Sequence, residues 1–250
     1  MTEQFILPEH TKAYFISDAH LGSLVLNDDK ERERLLVSWL EDIRKDAGLI
    51  FLLGDIFDFW FEYKNVIPRG YTRLLGKIAE IADSGIPIHF FTGNHDIWIF
   101  DYLPSELGIT VHHKEMKATI SGKKFFMAHG DLFDQSERKT MKKMFRNRFF
   151  QKCFAALHPR IGISIGRKWS KNSRLKHDDI SDNEREGLLI FAQSLLAQED
   201  FDYFVFGHKH KVINTLIDKK THFIMLGDWV RHFSYGVFDG KNFEIGNYRK

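Results

Sequence analysis

The 250-residue chain is long enough for one large domain, or for one domain with an insertion, and it can bury a substantial core. Its single cysteine, Cys153, excludes an internal disulfide and is typical of a reducing compartment. The N-terminus lacks the features of a signal peptide, and the most apolar stretch, 49–61, contains two aspartates and is too short to span a bilayer. These features predict a cytoplasmic protein without a transmembrane helix.

The formal net charge of +2 conceals a strong segregation of charge along the chain. Thirteen Lys or Arg and one acidic residue fall between Gln135 and His177, so this segment carries +12 and the remainder carries −10. Such a basic field predicts an anionic partner, which can be a phosphate ligand, an acidic membrane surface or a nucleic acid.

The first half of the chain alternates between strand and helix patterns. Apolar runs predict strands, and apolar residues at helical spacing predict helices. The alternation is typical of an α/β fold in which helices cover a parallel or mixed sheet. The predicted elements are a strand at 12–17, a helix at 28–45, a strand at 49–53, a helix at 71–82 and a strand at 86–92.

After about residue 109 the pattern changes to short strands, several of which suit an antiparallel arrangement. Asp239-Gly240 is a hairpin signal between the last two of them. The whole pattern predicts two sheets with helices on the outside. The predicted strands of this half are 110–111, 117–120, 123–128, 201–206, 212–217, 222–226, 234–238 and 242–245.

Residues 135–199 are predicted to form a basic helical insertion between the two parts of a core domain, 1–134 and 200–250. Residues 139–157 predict a basic amphipathic helix with a Met/Phe stripe, and 182–196 predict another helix. Pro159, Gly162 and Gly166 are expected to break up the stretch between them. Two interpretations stay open: a lid over a binding site, or helices that only cover a sheet face.

Five polar blocks each directly follow an apolar strand. The carboxyl ends of parallel strands meet at one edge of a sheet, where α/β proteins place their ligands. The sequence therefore predicts that the blocks converge on one site. They are Asp-Ala-His at 18–20, Gly-Asp at 54–55, Gly-Asn-His-Asp at 93–96, His-Gly-Asp at 129–131 and Gly-His-Lys-His at 207–210.

The residue types in these blocks predict a metal site. Asp, His and Asn without Cys form an oxygen and nitrogen ligand set that suits Mn, Fe or Zn. Asp18 and His20, like His208 and His210, are two residues apart, so on an extended backbone each pair points the same way. Asp55, at the end of the central strand, is the natural carboxylate to bridge two ions. Two ions about 3.5–4 Å apart would activate a hydroxide and clamp an in-line displacement at phosphorus.

The five ordered blocks resemble those of the calcineurin-like metallophosphoesterases. The resemblance implies a four-layer αββα sandwich. It also implies that His95 contacts the phosphoryl group or the leaving oxygen, oriented by Asp58, and does not bind metal. The implied ligands of the first ion are Asp18, His20, Asp55 and His210; those of the second are Asp55, Asn94, His129 and His208.

Residues 17–21, residues 54–60 and the basic insertion are similar to the UDP-2,3-diacylglucosamine pyrophosphatases of lipid A synthesis. This similarity implies release of UMP and 2,3-diacylglucosamine 1-phosphate, with the insertion capping the site and its Met/Phe stripe near the acyl chains. It also suits peripheral docking on the anionic inner face of the inner membrane. The residues matched to substrate contacts are Asp131, Ser170, Lys171, Asn172 and Arg174.

One residue keeps a second function open. Proteobacterial members of the narrower family often have Arg where this chain has His95, which returns the motif to the general phosphoesterase pattern. A phosphodiesterase or phosphatase acting on a nucleotide or another soluble phosphoester is therefore the alternative. A binding module that lost its chemistry is disfavoured, because every expected ligand is present. No nucleic-acid partner is expected, because the basic residues share their helix with the Met/Phe stripe.

Overall fold

The computed structural model describes residues 2–133, 144–177 and 183–249, and the side chains of 173–177 and 183–186 lie outside the description. The described strands are β1 (Glu3–Phe5), β2 (Lys12–Ile16), β3 (Ala47–Leu53), β4 (Ile88–Phe91), β5 (Thr110–His112), β6 (Met116–Ile120), β7 (Lys123–Ala128), β8 (Tyr203–Phe206), β9 (Val212–Leu216), β10 (His222–Leu226), β11 (Ser234–Phe238) and β12 (Phe243–Asn247). The described helices are α1 (Asp29–Ile43), α2 (Thr72–Asp83), α3 (Tyr102–Leu107), α4 (Arg148–Ala155), α5 (Pro159–His177) and α6 (Asn183–Leu196).

The strands form two six-stranded mixed sheets. The first has the order β12-β11-β2-β3-β4-β5, and its β2 to β5 are parallel. The second has the order β1-β6-β7-β8-β10-β9, and its β7, β8 and β10 are parallel. The antiparallel β11–β12 hairpin lies at the predicted Asp239-Gly240 turn.

The two sheets pack face to face, with helices on the outer faces. Phe15 stacks on Phe51 at 4.9 Å and on Phe125 at 6.1 Å, which joins the sheets through their aromatic side chains. Helices α1 and α2 cover the first sheet through Trp39 and their other buried apolar side chains. Helix α6 covers the second sheet, where Leu188 packs with the apolar side chains of β7 and β8. The predicted αββα sandwich is confirmed.

The helices of the predicted insertion pack on two different parts of the core. Helix α6 covers a sheet face, whereas Phe154 of α4 packs with Phe59 and Trp98, which follow β3 and β4. Helix α6 therefore fits the interpretation of a helix that covers a sheet face, whereas the lid over a binding site stays a prediction. Among the described residues no helix is both long enough and apolar enough to cross a membrane.

The prediction of one helix over 139–157 is wrong in its described part. Residues 134–143 lie outside the described residues, and the helical path is interrupted at Asn147. The Asn147 side chain accepts hydrogen bonds from the backbone N–H of Phe149 (2.8 Å) and Phe150 (3.4 Å), so it caps the start of α4. The predicted apolar stripe is also divided: Phe154 is buried, whereas Phe149 is 77% exposed.

The predicted break at 159–166 is wrong, because α5 runs through it from Pro159. Proline suits the first position of a helix, where its missing N–H would have no partner. A Cβ added at Gly162 would lie 2.0 Å from Tyr63 Oη, and one at Gly166 would lie 2.0 Å from a ring carbon of Phe59. Close packing against the core explains both glycines. The sequence prediction also missed β1 and α3, which are too short to show a periodic pattern.

Two histidines pair on adjacent strands of the first sheet. His89 Nδ1 lies 2.9 Å from His112 Nε2, and the rings of Phe51 and Phe91 stack against the pair. Burial lowers the pKa of His89 to about 4 and the pKa of His112 to about 4. A buried imidazole disfavours its charged form because it has lost water.

We expect this pair to make the fold sensitive to acid. The pKa of each histidine is about 4 in the folded protein and about 6.5 in the unfolded chain. The unfolded state therefore binds more protons between those values, and the free energy of unfolding falls as the pH falls from about 6.5 to about 4. Urea unfolding of His89→Gln should show a weaker pH dependence than the wild type. His10→Asn, at an exposed position, is the control, and an unchanged dependence in His89→Gln would contradict the assignment.

Candidate metal centre

The predicted polar blocks converge where the parallel strands of both sheets end. Backbone hydrogen bonds join the loops after β2 and β3: the Asp18 N–H donates to the Gly54 carbonyl at 3.0 Å, and the His20 N–H donates to the Asp55 carbonyl at 2.9 Å. In the second sheet, the Gly207 N–H donates to the His129 carbonyl at 3.0 Å. These bonds hold the blocks in register, so their side chains face one another.

Asp18, His20 and His210 form the first group, with one ligand atom of each within 4.8 Å of the others. His20 Nε2 lies 3.1 Å from His210 Nε2, and the latter lies 3.2 Å from Asp18 Oδ1. Two imidazole nitrogens and a carboxylate oxygen facing one another at such distances suit a shared cation.

Asp55, His129 and His208 form the second group, again within 4.8 Å. His129 Nδ1 donates to the Leu53 carbonyl at 2.9 Å, because a carbonyl can only accept. This bond leaves Nε2 of His129 as the nitrogen that faces the site, where it lies 3.3 Å from Asp55 Oδ2. A backbone bond that fixes the tautomer in this way is typical of metal-binding histidines.

Asp55 belongs to more than one group, since it also lies within 4.8 Å of His20 and His95. Its Oδ1 accepts a hydrogen bond from the His95 backbone N–H at 2.8 Å, and this bond fixes the carboxylate between the two groups. The arrangement supports the predicted bridging role of Asp55, which stays a prediction.

The electrostatics of the site fit divalent cations. Asp18 Oδ1, Asn94 Oδ1 and His129 Nε2 are buried and make no hydrogen bond with the described residues. Burial opposes the charged form of His129, but the Asp55 carboxylate outweighs it and raises the pKa of His129 to about 10. Burial also opposes ionisation of Asp55, yet the positive charge on His129 holds the pKa of that carboxyl below its usual range. The residues present can therefore hold a metal.

The backbone at the site is left-handed at five of the predicted ligands. Non-glycine residues adopt positive φ rarely, at a cost of about 1–3 kcal/mol each, and such residues cluster at functional sites. The expectation that each Asp/His or His/His pair lies on an extended backbone is wrong, although His208 and His210 do reach different groups. The φ angles are 55° at Asp18, 46° at His20, 53° at Asp55, 69° at His208 and 51° at His210.

Position 54 requires glycine, both for its backbone conformation and for the space around it. Its φ is +85°, and a Cβ there would lie 2.7 Å from His129 Nδ1. No side chain could be added without moving a predicted metal ligand.

His95 and Asp58 lie together beside the first group. His95 Nδ1 is 2.9 Å from the Asp58 backbone carbonyl, whereas Asp58 Oδ1 is 3.5 Å from His20 Nδ1. Asp58 thus holds His95 through its backbone carbonyl, and its carboxylate faces His20. The family resemblance had implied instead that the Asp58 carboxylate orients His95. Burial lowers the pKa of His95, although the Asp55 carboxylate opposes this shift.

The predicted substrate contacts are scattered. Ser170 is buried against His95, with Oγ 3.0 Å from Nδ1, while Lys171 and Asn172 are exposed on the same helix. The Arg174 side chain lies outside the described residues. Asp131 is buried elsewhere, 3.4 Å from Arg146 Nη2, in a pocket that also includes part of His129 and Thr92. Of the predicted contacts whose side chains are described, Ser170 is the one that lies against the predicted catalytic pair.

Two aspartates that support the site were given no role by the sequence. Asp96 accepts from the backbone N–H of Gly93 at 2.7 Å and of Ile56 at 2.9 Å, which braces the loop that carries Asp55. Asp228 Oδ2 lies 3.8 Å from His210 Nδ1. The sequence could have indicated Asp228 as a site residue. Gly227-Asp228 directly follows the apolar strand β10, as Gly54-Asp55 follows β3.

The profile of the calcineurin-like phosphoesterases matches residues 11–212 of this chain. The chain belongs to that family. It is a metallophosphoesterase, and therefore a hydrolase. The match begins before the first predicted ligand and continues past His210, so it contains both groups.

The chain is also similar to curated relatives over almost their full length. A Porphyromonas gingivalis protein named UDP-2,3-diacylglucosamine hydrolase is 43% identical over 248 residues, which cover 92% of this chain and 95% of the relative. A Histophilus somni protein of the same name is 25% identical, with 87% and 92% covered. Among solved structures, a dimetal phosphatase from Danio rerio aligns with a TM-score of 0.46 and 13% identity, covering 96% of this chain and 99% of that one.

We expect Asp55→Ala to lose both metal content and activity, because it removes the carboxylate placed between the two groups. Metal per chain would be measured by mass spectrometry after reconstitution with Mn²⁺, and activity with an aryl phosphodiester. Asp131→Asn, a change at a buried aspartate outside the groups, is the matched control and should keep its metal. Two ions per chain in Asp55→Ala would contradict the bridging assignment.

Proposed function

We propose that this enzyme hydrolyses the pyrophosphate bond of UDP-2,3-diacylglucosamine, giving UMP and 2,3-diacylglucosamine 1-phosphate in lipid A biosynthesis. It would use two divalent ions, with manganese as the first choice and iron or zinc as alternatives. The observation that carries the proposal is the 43% identity to a relative of that name over 92% of the chain, a share too large to leave out the whole insertion.

The residues of the two groups are proposed to hold two divalent ions. When bound, two divalent ions supply Lewis acidity and an activated water for in-line displacement at phosphorus. The residues proposed to hold them are Asp18, His20, Asp55, Asn94, His129, His208 and His210. Their fixed positions would orient the phosphoryl group and exclude other geometries.

His95 is the proposed proton donor or hydrogen-bond donor to the phosphoryl group or leaving oxygen. Its Nδ1 is held at the Asp58 carbonyl, so Nε2 is the nitrogen left for the substrate. Because burial lowers the pKa of His95, a proton placed on this ring would be readily given up.

Helices α4 and α5 supply the surface on which we place the lipid part of the substrate. Phe145, which precedes α4, lies 5.2 Å from Trp169 of α5 between ring centroids, and Trp169, which is 39% exposed, packs on the buried ring of Phe154. This surface would suit acyl chains, and exposed Lys171 and Asn172 nearby would suit the sugar and phosphate. The alternative, a soluble nucleotide or phosphoester substrate, rests on His95 standing where the narrower family often has Arg.

We also propose that the enzyme is cytoplasmic and docks peripherally on the inner face of the inner membrane. Exposed apolar side chains on the insertion include Phe149 (77%) and Ile161 (53%). Exposed Arg148 and Lys152 lie on the same helix as Phe149. Apolar side chains combined with Lys and Arg suit an anionic lipid surface.

The substrate proposal is tested by incubating the purified protein with Mn²⁺ and UDP-2,3-diacylglucosamine and following UMP by chromatography. We expect stoichiometric release of UMP, because attack at the phosphorus next to uridine separates the nucleotide from the lipid phosphate. A generic aryl phosphodiester serves as the control for an active metal centre. Cleavage of the aryl compound without any UMP from the lipid would favour the soluble-substrate alternative.

The docking proposal is tested by vesicle sedimentation with anionic phosphatidylglycerol vesicles. Each large apolar side chain that enters the lipid contributes about 1.5–3 kcal/mol, so Phe149→Ser with Ile161→Ser should weaken binding by at least about tenfold. Leu216→Ser, which changes an exposed residue of the core, should bind as the wild type does. Equal binding of the double variant would exclude these side chains from the contact.

A further inference from the structure

The loop after β10 carries a buried carboxylate to the edge of the metal centre. Asp228 is only 1% exposed, and it is not a member of either ligand group. The backbone N–H of the next residue, Trp229, donates to the Asp18 carbonyl at 3.1 Å. This bond ties the loop to the first group, because Asp18 belongs to that group. A carboxylate is costly to bury, so its contacts should show what it does there.

The two oxygens of Asp228 face different partners. Oδ1 accepts from the backbone N–H of Val230 at 2.8 Å and of His232 at 3.2 Å, so it stabilises a turn. Oδ2 lies 2.9 Å from Nδ1 of His232 and 3.8 Å from Nδ1 of His210. A single oxygen from an asparagine or a serine could serve such a turn. The second oxygen is therefore what a carboxylate adds, and it faces two imidazoles.

His210 is held less by packing than the other histidines of the site. Its side chain is 37% exposed, whereas those of His20 and His129 are 2% and 1% exposed. Close packing can orient the two buried rings, but it cannot fix a ring of which more than a third faces solvent. Nε2 of His210 faces the first group, 3.2 Å from Asp18 Oδ1. A polar contact at Nδ1 is then what can keep this nitrogen directed at an ion.

The two buried histidines have such a contact. His129 faces the site with Nε2, and its Nδ1–H donates to a backbone carbonyl at 2.9 Å. His20 faces the first group with Nε2, and its Nδ1 lies 3.5 Å from Asp58 Oδ1. Asp228 stands behind His210 in the same way. An oxygen behind Nδ1 keeps the proton on that nitrogen and leaves the Nε2 lone pair for a metal.

The separation of 3.8 Å is longer than a hydrogen bond, but a carboxylate also acts through its charge. Its attraction for a proton falls with distance, so it favours the proton on Nδ1 of His210 over the proton on the more distant Nε2. Solvent screens this interaction weakly, because Asp228 is buried. The other contact of Oδ2, His232, has a side chain that is 43% exposed and lies outside both groups.

We propose that Asp228 is a positioning residue for His210 and thereby strengthens binding of the first ion. Its Oδ2 orients the imidazole and favours the tautomer protonated on Nδ1, so that Nε2 is free for the ion. Asp228 is not itself a ligand in this arrangement. The inference rests on the proposed function only in that His210 holds an ion.

Asp228→Asn tests the proposal with Mn²⁺ alone, which is added to metal-free protein while free Mn²⁺ is followed by electron paramagnetic resonance. The amide keeps an oxygen for the turn but replaces Oδ2 by an N–H donor, which cannot accept from Nδ1. Loss of the partner behind a metal-binding histidine typically weakens metal binding about 10–100-fold. We expect a loss of that size for one ion and wild-type affinity for the other.

His232→Gln is the matched control, because it removes the other imidazole on the same oxygen. It should bind both ions as the wild type does, and a loss equal to that in Asp228→Asn would assign Oδ2 to His232 and overturn the proposal. Wild-type affinity for both ions in Asp228→Asn would also overturn it. An equal loss for both ions with a lower urea midpoint would do the same, since Asp228 would then only support the turn. Asp228→Ser, whose hydroxyl can serve the turn, carries the same expectation where the amide variant does not fold.

A double-mutant cycle identifies the ion that Asp228 affects. His210→Ala should weaken the same ion, and Asp228→Asn in that background should weaken it no further, because the ring that Asp228 positions is gone. Multiplicative losses in the double variant would overturn the proposal.

The outcomes separate this inference from the proposed function. A loss in His210→Ala without one in Asp228→Asn would reject the role of Asp228 and leave the proposed ligands standing. Wild-type binding of both ions in His210→Ala would reject His210 as a ligand, and the role of Asp228 with it. Because only Mn²⁺ is added, failure of UDP-2,3-diacylglucosamine as the substrate would leave the result unchanged.

Discussion

Two carboxylates, Asp18 and Asp55, are buried where both sheets end, and their charge has to be balanced there. An isolated buried carboxylate is strongly disfavoured, so a fold that buries two must supply cationic partners. The described histidines next to them supply part of that balance, as the raised pKa of His129 indicates. Divalent ions would balance it more completely and release the histidines as neutral ligands. The converging loops, their glycines and their unusual backbone angles all follow from this requirement.

The cost of this arrangement is visible in the backbone. Five predicted ligands adopt left-handed φ angles that non-glycine residues avoid. Such conformations persist only where the surroundings over-determine them. Here the loops after β2 and β3 are joined by backbone hydrogen bonds, and Asp96 braces the second of them through Ile56. The stability of the sandwich thus supports a strained site.

Much of the fold and of the metal centre could be predicted because their signals are local. Apolar runs that end in Asp or His blocks need no knowledge of tertiary contacts, and the block at Asp55 shows this most clearly. Helix α5 could not be predicted in the same way. Gly162 and Gly166 lower helix propensity, but close packing on Tyr63 and Phe59 outweighs that penalty. Left-handed φ angles likewise depend on contacts between loops, so the assumption of an extended backbone failed.

The insertion is closely packed on the core of the protein and reaches the candidate active site. Its α6 completes a layer of the sandwich through Leu188, and its α5 approaches the core closely enough for Ser170 to contact His95. A helix held this closely by glycines has little freedom to slide, because any shift would drive Tyr63 or Phe59 into its backbone. The close packing therefore keeps Ser170 at a fixed place beside His95. The basic insertion that points to a lipid substrate thus also contributes a side chain next to the metal centre.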